Sequence, residues 1–222
     1  MMRIARVVPI LFASLFCCAA ALHAQTAASS ETKGYADVNV GATFGHKSDV
    51  SVGGEAGWAV MRDLDVFFEA GHIGNAASSD LDTRANNIAN NIGGTANVIA
   101  KVNYFDAGVR YRFVVNNPKI RPYVAAGFGA AHVTTQTTVS INGSTAPPEL
   151  IAFGTDLNGS QTAPELMLGG GATVDVATRY FVDVSYRFAR IFQRSEQSGG
   201  DTIVTLAAFN TNRLQVGLGI KF

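Results

Sequence analysis

Residues 180–188 read YFVDVSYRF, a stretch in which apolar and polar side chains alternate with a period of two. Because successive side chains of a β-strand point to opposite faces of the sheet, this alternation predicts a strand with one apolar and one polar face. The same pattern recurs along most of the chain. The eight predicted strands cover residues 34–46, 49–60, 64–73, 98–113, 120–134, 164–177, 180–192 and 207–222.

Charged side chains fall on one parity of these strands, whereas random placement would spread them over both faces. The apolar parity carries one main exception, Arg190, near a strand end. The predicted polar-face charges are Asp37, Glu55, Asp65, Glu69, Asp106, Arg110, Arg112, Glu165, Asp175, Asp183, Arg187, Arg213 and Lys221.

The connections between the predicted strands differ in length at the two ends of the sheet. Turns near residues 62, 116 and 178 are short, and the other connections are mostly long and rich in Asn, Ser, Thr and Gly. Short turns at one end and long loops at the other are typical of barrels that cross an outer membrane. The predicted long loops are 74–97, 135–163 and 193–206. In the first of them, Leu81, Ala85, Ile88 and Ile92 have helix-like spacing.

Alternation alone does not decide which face points inward, since a soluble carrier barrel turns its apolar face to the lumen. Acids, bases and glycines share the polar face, as the lumen of a narrow barrel requires. Aromatic residues gather near strand ends, for example Trp58 and Tyr180 at one end and Phe44 and Phe192 at the other. These features favour a membrane barrel with its apolar face in lipid.

The chain has 222 residues, of which only 15% are charged, and equal numbers of basic and acidic residues, 17 each. This composition excludes a disordered chain and gives no basic surface for nucleic acid. Arg3 and Arg6 precede an apolar run from Val7 to Leu22, which predicts a signal peptide over residues 1–24 that is cleaved after Ala24. Cleavage would remove both cysteines and leave two more acidic than basic residues. Residues 25–33 are then a short periplasmic segment, and 34–222 form the barrel.

The ending LQVGLGIKF (214–222), the stretch GVRYRF (108–113) and the stretch RPYVAAGFG (121–129) resemble those of small outer-membrane β-barrel proteins. That family includes the OmpA transmembrane domain and its opacity-protein and porin-like relatives. The resemblance implies an eight-stranded antiparallel up-and-down barrel in the outer membrane of a Gram-negative envelope, with both termini in the periplasm. It also implies that the C-terminal pattern is read by the barrel-insertion machinery. The residues that carry this signal are Leu214, Val216, Leu218, Ile220 and Phe222.

We expect the lumen charges to plug the barrel rather than line a channel, because buried charges must be paired and eight strands enclose little space. Strand order suggests that Asp65 and Glu69 lie beside Arg110 and Arg112. Asp37 is expected near Lys221, where the first and last strands meet.

Candidate chemistry is sparse, and we predict no catalytic, cofactor-binding or metal-binding residue. The nearest approach to a lipid hydrolase is His132 with Thr134 and Glu149, where Thr stands in place of the expected nucleophilic Ser. His46 and His72 fall below the usual ligand count for a metal site.

The sequence therefore predicts a non-enzymatic, monomeric barrel that serves as an anchor, with its long loops available to a host or envelope surface ligand. Its expected partners are outer-membrane lipid and the insertion machinery, without nucleic acid. The alternatives are a lipid hydrolase using His132, a narrow passive pore and a soluble carrier.

Overall fold

A computed structural model describes residues 34–145, 157–198 and 201–222. The predicted signal peptide (1–24) and the segment 25–33 lie outside the described residues. Within the described part of the chain there are eleven strands and one helix. They are β1 (Gly34–Phe44), β2 (Val50–Met61), β3 (Leu64–Ile73), α1 (Ser79–Asn90), β4 (Gly94–Arg112), β5 (Ile120–Ile141), β6 (Ser144–Thr145), β7 (Gly159–Asp175), β8 (Tyr180–Ile191), β9 (Arg194–Ser198), β10 (Asp201–Leu206) and β11 (Phe209–Lys221).

Eight of the described strands close into a ring in which each pairs with antiparallel neighbours on both sides. The order around the ring is β1, β2, β3, β4, β5, β7, β8 and β11, and β11 returns to pair with β1. A closed ring leaves no sheet edge, so its backbone N–H and C=O groups are satisfied within the sheet. The predicted eight-stranded up-and-down barrel is confirmed.

The two ends of the barrel differ in their connections. We call the end with the turns 62–63, 113–119 and 176–179 the near end, and Phe222 also lies there, where its backbone N–H donates to Gly34 O at 3.0 Å. The opposite end, which we call the far end, carries the described residues of the segments 45–49, 74–93, 142–158 and 192–208. Both described chain ends therefore lie at the near end of the barrel.

The apolar parity faces outward and the charged parity faces inward. On the paired strands β1 and β11, Val38 is 69% exposed and Leu218 is 61% exposed, whereas Arg213 on β11 is fully buried. Glu69 on β3 is likewise buried. A carrier barrel requires the opposite arrangement, so that alternative is wrong.

Three far-end strand boundaries differ from the prediction by four residues or more. β4 begins at Gly94 rather than 98, β5 continues to Ile141 rather than 134, and β7 begins at Gly159 rather than 164. The added residues form continuous ladders, with Gly94 opposite Ile141 and Thr134 opposite Ser160. Many of them are Thr, Ser or Asn, which hide the apolar alternation that marks a half-buried strand.

The helix-like spacing in residues 74–97 correctly predicts α1, although Ile92 lies beyond its end and is exposed. Ser78 caps the helix by accepting a hydrogen bond from the backbone N–H of Leu81 at 3.3 Å. Asp80 and Asp82 occupy the first turn, where a negative charge interacts favourably with the helix dipole. Among the described residues, no helix has the length and apolar character needed to span a membrane.

Candidate functional site

The middle of the barrel interior contains an ionic network around Arg187 of β8. Arg187 donates from Nε to Glu69 Oε2 at 3.1 Å and from Nη2 to Glu55 Oε2 at 2.9 Å. Arg110 of β4 donates from Nη2 to the other oxygen of Glu55 at 2.5 Å. All four side chains are buried. Because they come from β2, β3, β4 and β8, the network joins opposite walls of the barrel.

Three inward-facing tyrosines complete this network: Tyr35, Tyr104 and Tyr123. None of them is among the predicted polar-face residues. Tyr123 donates to both carboxylate oxygens of Asp183, at 2.6 and 2.8 Å, while the Arg110 guanidinium carbon lies 3.9 Å from the Tyr123 ring centroid. Tyr35 donates to Glu55 Oε1 at 2.5 Å. Their inward parity was the available signal, since a buried Tyr hydroxyl usually finds a polar partner.

Tyr104 lies further toward the far end and contacts the remaining interior arginine. Its ring centroid is 3.9 Å from the Arg213 guanidinium carbon, and its hydroxyl donates to Glu69 Oε1 at 3.3 Å. The structure thus places cations over aromatic faces as well as beside carboxylates, an attraction that strengthens where water is excluded.

A second group of ion pairs occupies the near end. Arg112 Nη2 lies 3.1 Å from Asp65 Oδ1, as the strand order suggested. Asp175 pairs with Lys221 and, at 3.0 Å, with Arg121, a residue absent from the predicted set.

Two of the predicted charge pairings do not form ion pairs in the structure. Glu69 pairs with Arg187 and Arg213 rather than with the arginines of β4. Lys221 lies opposite Tyr35 in the register and pairs with Asp175, while Asp37 lies opposite Gly219 and accepts a hydrogen bond from Asn39 at 3.3 Å. Long side chains reach across the lumen, so neighbouring strands do not determine the partners.

One row of the interior is rich in carboxylates. Glu69 of β3 lies opposite Asp106 of β4. Asp106 in turn lies opposite Gly129 of β5, and Gly129 lies opposite Glu165 of β7. A Cβ atom at Gly129 would lie 2.6 Å from Asp106 Oδ1, so glycine leaves the space that this carboxylate occupies. Of these three carboxylates, Glu69 has two arginine partners, Arg187 at 3.1 Å and Arg213 at 3.7 Å. Among the described residues, neither Asp106 nor Glu165 has an ion-pair partner within 4.0 Å.

Toward the far end, the inward-facing residues change from charged to apolar. Val98, Ala100 and Val102 of β4 are buried against Leu81 and Ala85 of α1. Further members of this apolar cluster come from β3, β5, β7, β8 and β11, together with Leu157 and Leu206. The helix therefore packs against the inward-facing apolar residues at the far end of the interior.

Polar contacts attach α1 to the neighbouring loops. Asp82 Oδ2 lies 2.5 Å from His46 Nε2 and 2.8 Å from Lys47 Nζ, both in the loop between β1 and β2. Asn86 Oδ1 accepts a hydrogen bond from the Ala96 backbone N–H at 2.9 Å. Although partial burial acts to raise the pKa of Asp82, the hydrogen bonds from Lys47 and His46 lower it below the ordinary aspartate value.

Asp82→Asn is expected to speed amide exchange in α1 by up to about fivefold at neutral pH, because an exposed ion pair contributes at most about 1 kcal/mol. A lowered pKa means that the stabilisation is present above the unfolded-state pKa and is lost as the pH falls through the folded-state value. Protection factors measured by hydrogen exchange at pH 7 and pH 3 test this, with Asp80→Asn as the control in the same helical turn. Equal protection in the two variants at pH 7 would contradict the role of the ion pair.

The predicted insertion-signal residues form one outward-facing row at the C-terminus. All five are between 46% and 61% exposed, and four of them lie on β11 beside β1. They are Leu214, Val216, Leu218, Ile220 and Phe222. This row is continuous with the apolar outer surface of the barrel.

The three histidines that the structure describes, His46, His72 and His132, lie apart from the interior network. His132 faces outward, and its Nδ1 is 2.9 Å from Thr162 Oγ1; Glu149, the third member of the hydrolase hypothesis, lies outside the described residues. His72 Nδ1 is 2.8 Å from Asn103 Oδ1. Among the described residues, no group of three or more His, Cys, Asp or Glu side chains is arranged to hold a metal ion.

Comparisons with known proteins agree with this architecture. Residues 14–222 match the family model described as the outer membrane protein beta-barrel domain. Neisserial surface protein A is similar in structure, with 18% identity, coverage of 85% of this chain and 96% of that one, and a TM-score of 0.50. A major outer membrane protein of Thermus thermophilus has 11% identity, coverage of 85% and 99%, and a TM-score of 0.50.

The N-terminal β-barrel domain of Pseudomonas aeruginosa OprF is also similar, with 14% identity, coverage of 86% and 98%, and a TM-score of 0.47. No curated protein matches the chain. Since the family model covers almost the whole sequence, and the closed barrel carries its apolar residues outside, the chain belongs to the outer membrane protein beta-barrel family.

Proposed function

We propose that this protein is a non-enzymatic, monomeric outer-membrane anchor whose closed barrel displays its far-end segments to a surface ligand of the host or the envelope. The observation that carries the proposal is the ionic network inside the barrel, together with the apolar cluster that α1 joins. Glu55, Glu69 and Arg187 meet in the middle of the barrel, and α1 packs against the apolar residues at the far end. A barrel plugged in this way anchors the chain without conducting ions.

A plugged interior predicts electrical silence. Purified, refolded protein in planar bilayers is expected to show no sustained openings, because long side chains and a helix occupy the path along the axis. Single-channel recording across a range of voltages tests this, with a known open porin as the positive control. Sustained openings of uniform size would support the narrow-pore alternative and contradict plugging.

The proposal places both termini in the periplasm and the far end outside the cell. Protease added to intact cells should then cut only the far-end segments, residues 74–93, 142–158 and 192–208, and leave the near-end turns uncut. Fragment masses identify the sites. Cleavage between 113 and 119 on intact cells would reverse the orientation.

The surface of α1 that faces away from the far-end apolar cluster is our candidate for contact with the ligand. Thr83, Asn87 and Asn90 are exposed there and uncharged. Replacing all three by Ala is expected to weaken attachment of whole cells to a host cell layer or matrix, without changing barrel folding. Asn116→Ala and Asn117→Ala in a near-end turn provide the control. Unchanged attachment would remove α1 from the proposed contact surface.

The C-terminal row is proposed to guide insertion. Phe222→Ala should slow assembly in cells, since the terminal aromatic completes the alternating pattern, while refolding of the purified chain into micelles changes little. Pulse–chase analysis of heat-modifiable migration measures the assembly rate. Equal slowing of both processes would assign Phe222 to barrel stability instead.

A further inference from the structure

Three basic side chains meet inside the barrel at its near end. They are Arg112 of β4, Arg121 of β5 and Lys221 of β11, and all three belong to the inward-facing parity of their strands. Together they line a cavity of about 40 Å³. We call this cavity and its three cations the near-end mouth. The side chains of Arg112 and Arg121 are 22% and 36% exposed, so a solute can reach the mouth from the near end.

The three cations of the near-end mouth are only partly neutralised. Arg112 contacts Asp65 at 3.1 Å, and Asp175 pairs with both Arg121 and Lys221. Within the described part of the chain, none of the three cations has another acidic partner within 4.0 Å. The mouth therefore holds three positive charges against two negative ones. Each guanidinium also carries more N–H donors than these contacts use.

Two enclosed donors beside the cavity have no acceptor. Nε of Arg110 and Nε of Arg112 make no hydrogen bond to any residue that the structure describes. Arg110 is only 3% exposed and lines the cavity, although its Nη2 donates to Glu55 at 2.5 Å. A buried N–H group without an acceptor costs free energy, so an acceptor entering the cavity would offset that cost.

Aromatic side chains form another part of the cavity wall. Lys221 Nζ lies 5.9 Å from the Phe181 ring centroid, and the Phe181 ring packs edge to face against Tyr35 at 6.1 Å. Both rings line the cavity. Because aromatic walls exclude water and lower the local dielectric constant, an anion in the mouth is attracted more strongly than it would be in bulk water.

We propose that the near-end mouth binds the free C-terminal carboxylate of a peptide that enters along the barrel axis. A volume of 40 Å³ holds about three water molecules, which suits a planar carboxylate better than a tetrahedral phosphate. Guanidinium groups match a carboxylate with paired, charge-assisted hydrogen bonds. The assignment of the peptide to the periplasm rests on the orientation in the proposed function.

Bilayer lipid is a poor occupant for this site. The three cations point into the ring of strands, whereas lipid surrounds the outer, apolar face of the barrel. A headgroup beside the outward-facing Tyr180 would lie on the other side of the sheet from Arg121. Only a molecule that approaches along the axis reaches the mouth.

The test titrates the refolded barrel in neutral detergent micelles with N-acetyl-dialanine, whose C-terminus is a free carboxylate. The Nε–Hε signals of Arg110 and Arg112 in nuclear magnetic resonance spectra should shift in a saturable way. The C-terminal amide of the same peptide should bind at least about tenfold more weakly, because it carries no charge.

Arg121→Gln is expected to weaken binding of the peptide about fivefold, the usual contribution of one partly exposed charge. This variant leaves Asp175 paired with Lys221, and heat-modifiable migration shows whether its barrel is folded. Arg121→Lys keeps the charge and should lose less. Lys119→Gln is the matched control, since Lys119 is exposed in the preceding turn and does not line the cavity. Its binding should change less than about twofold.

Each outcome bears on the proposal. Absent shifts, equal binding of the peptide and its amide, or equal losses in Arg121→Gln and Lys119→Gln would overturn it. Displacement of the peptide by an equal concentration of inorganic phosphate would show that the mouth does not select a carboxylate, and would overturn it as well. Because micelles have no sidedness, peptide binding with a reversed protease pattern on cells would contradict the orientation alone. Failed binding with the expected pattern would contradict the mouth site alone.

Discussion

Arg187→Leu is expected to lower the free energy of unfolding by about 3–5 kcal/mol, the largest effect among single changes in the interior. Arg187 is the common partner of Glu55 and Glu69, both buried in the middle of the barrel. Leucine would leave Glu69 with Arg213 at 3.7 Å and Glu55 with Arg110. The interior would then hold more buried negative charge than positive charge. The cost of removing these carboxylates from water would no longer be offset by the attraction of Arg187.

Urea unfolding of the refolded barrel in micelles measures this change, with fluorescence of Trp58, the single tryptophan, as the signal. Arg190→Leu is the matched control, because Arg190 lies three residues along the same strand and faces outward. Its loss should cost less than about 1 kcal/mol, as is usual for exposed polar contacts. Equal effects of the two substitutions would show that the interior network does not stabilise the barrel.

Val184→Arg is expected to cost about 2–4 kcal/mol, because an arginine on the lipid face is most costly near the middle of the bilayer. Val184 is 45% exposed on β8 and lies between Val216 and Ala172 of the neighbouring strands. Its side chain lies on the same apolar outer surface as Val38 and Leu218.

Tyr180→Arg provides the depth control on the same strand. Tyr180 is outward-facing at the near end of β8, where an arginine costs only about 0–1 kcal/mol. Unfolding measured in lipid bilayers should therefore separate the two variants by at least about 1 kcal/mol. Equal costs at both positions would contradict the placement of Val184 inside the hydrocarbon layer.

The strand pattern was predictable because a period of two is a local property. Residues 180–188 define their two faces without reference to any other segment, and the prediction that Asp183 and Arg187 share the polar face follows from parity alone. The far-end extensions of β4, β5 and β7 were missed because Thr, Ser and Asn on both faces leave no alternation to detect.

The ion-pair partners were not predictable to the same extent. Strand order correctly predicted the ion pair between Asp65 and Arg112, because the two residues lie on neighbouring strands at the near end. It failed for Glu69, whose partner Arg187 is 118 residues away and comes from the opposite wall. Long arginine side chains choose partners across a lumen whose width and stagger are set by closure of the ring.

The helix α1 was likewise predictable in its local structure but not in its packing. The spacing of Leu81, Ala85 and Ile88 predicted a helix, but it could not show that this helix packs against inward-facing residues of β4 and β5. An amphipathic helix needs an apolar surface, and that surface exists only once the extended strands have paired.

By itself the sequence determined the eight strands of the barrel and their two faces, since both depend on the alternation of neighbouring residues. The lengths of the connections and the positions of the aromatic residues indicated the membrane setting. Only the tertiary structure decided which charges meet, how α1 packs at the far end and which cations gather at the near-end mouth. These features depend on distances between residues far apart in the chain, and those distances follow from the register and closure of the ring.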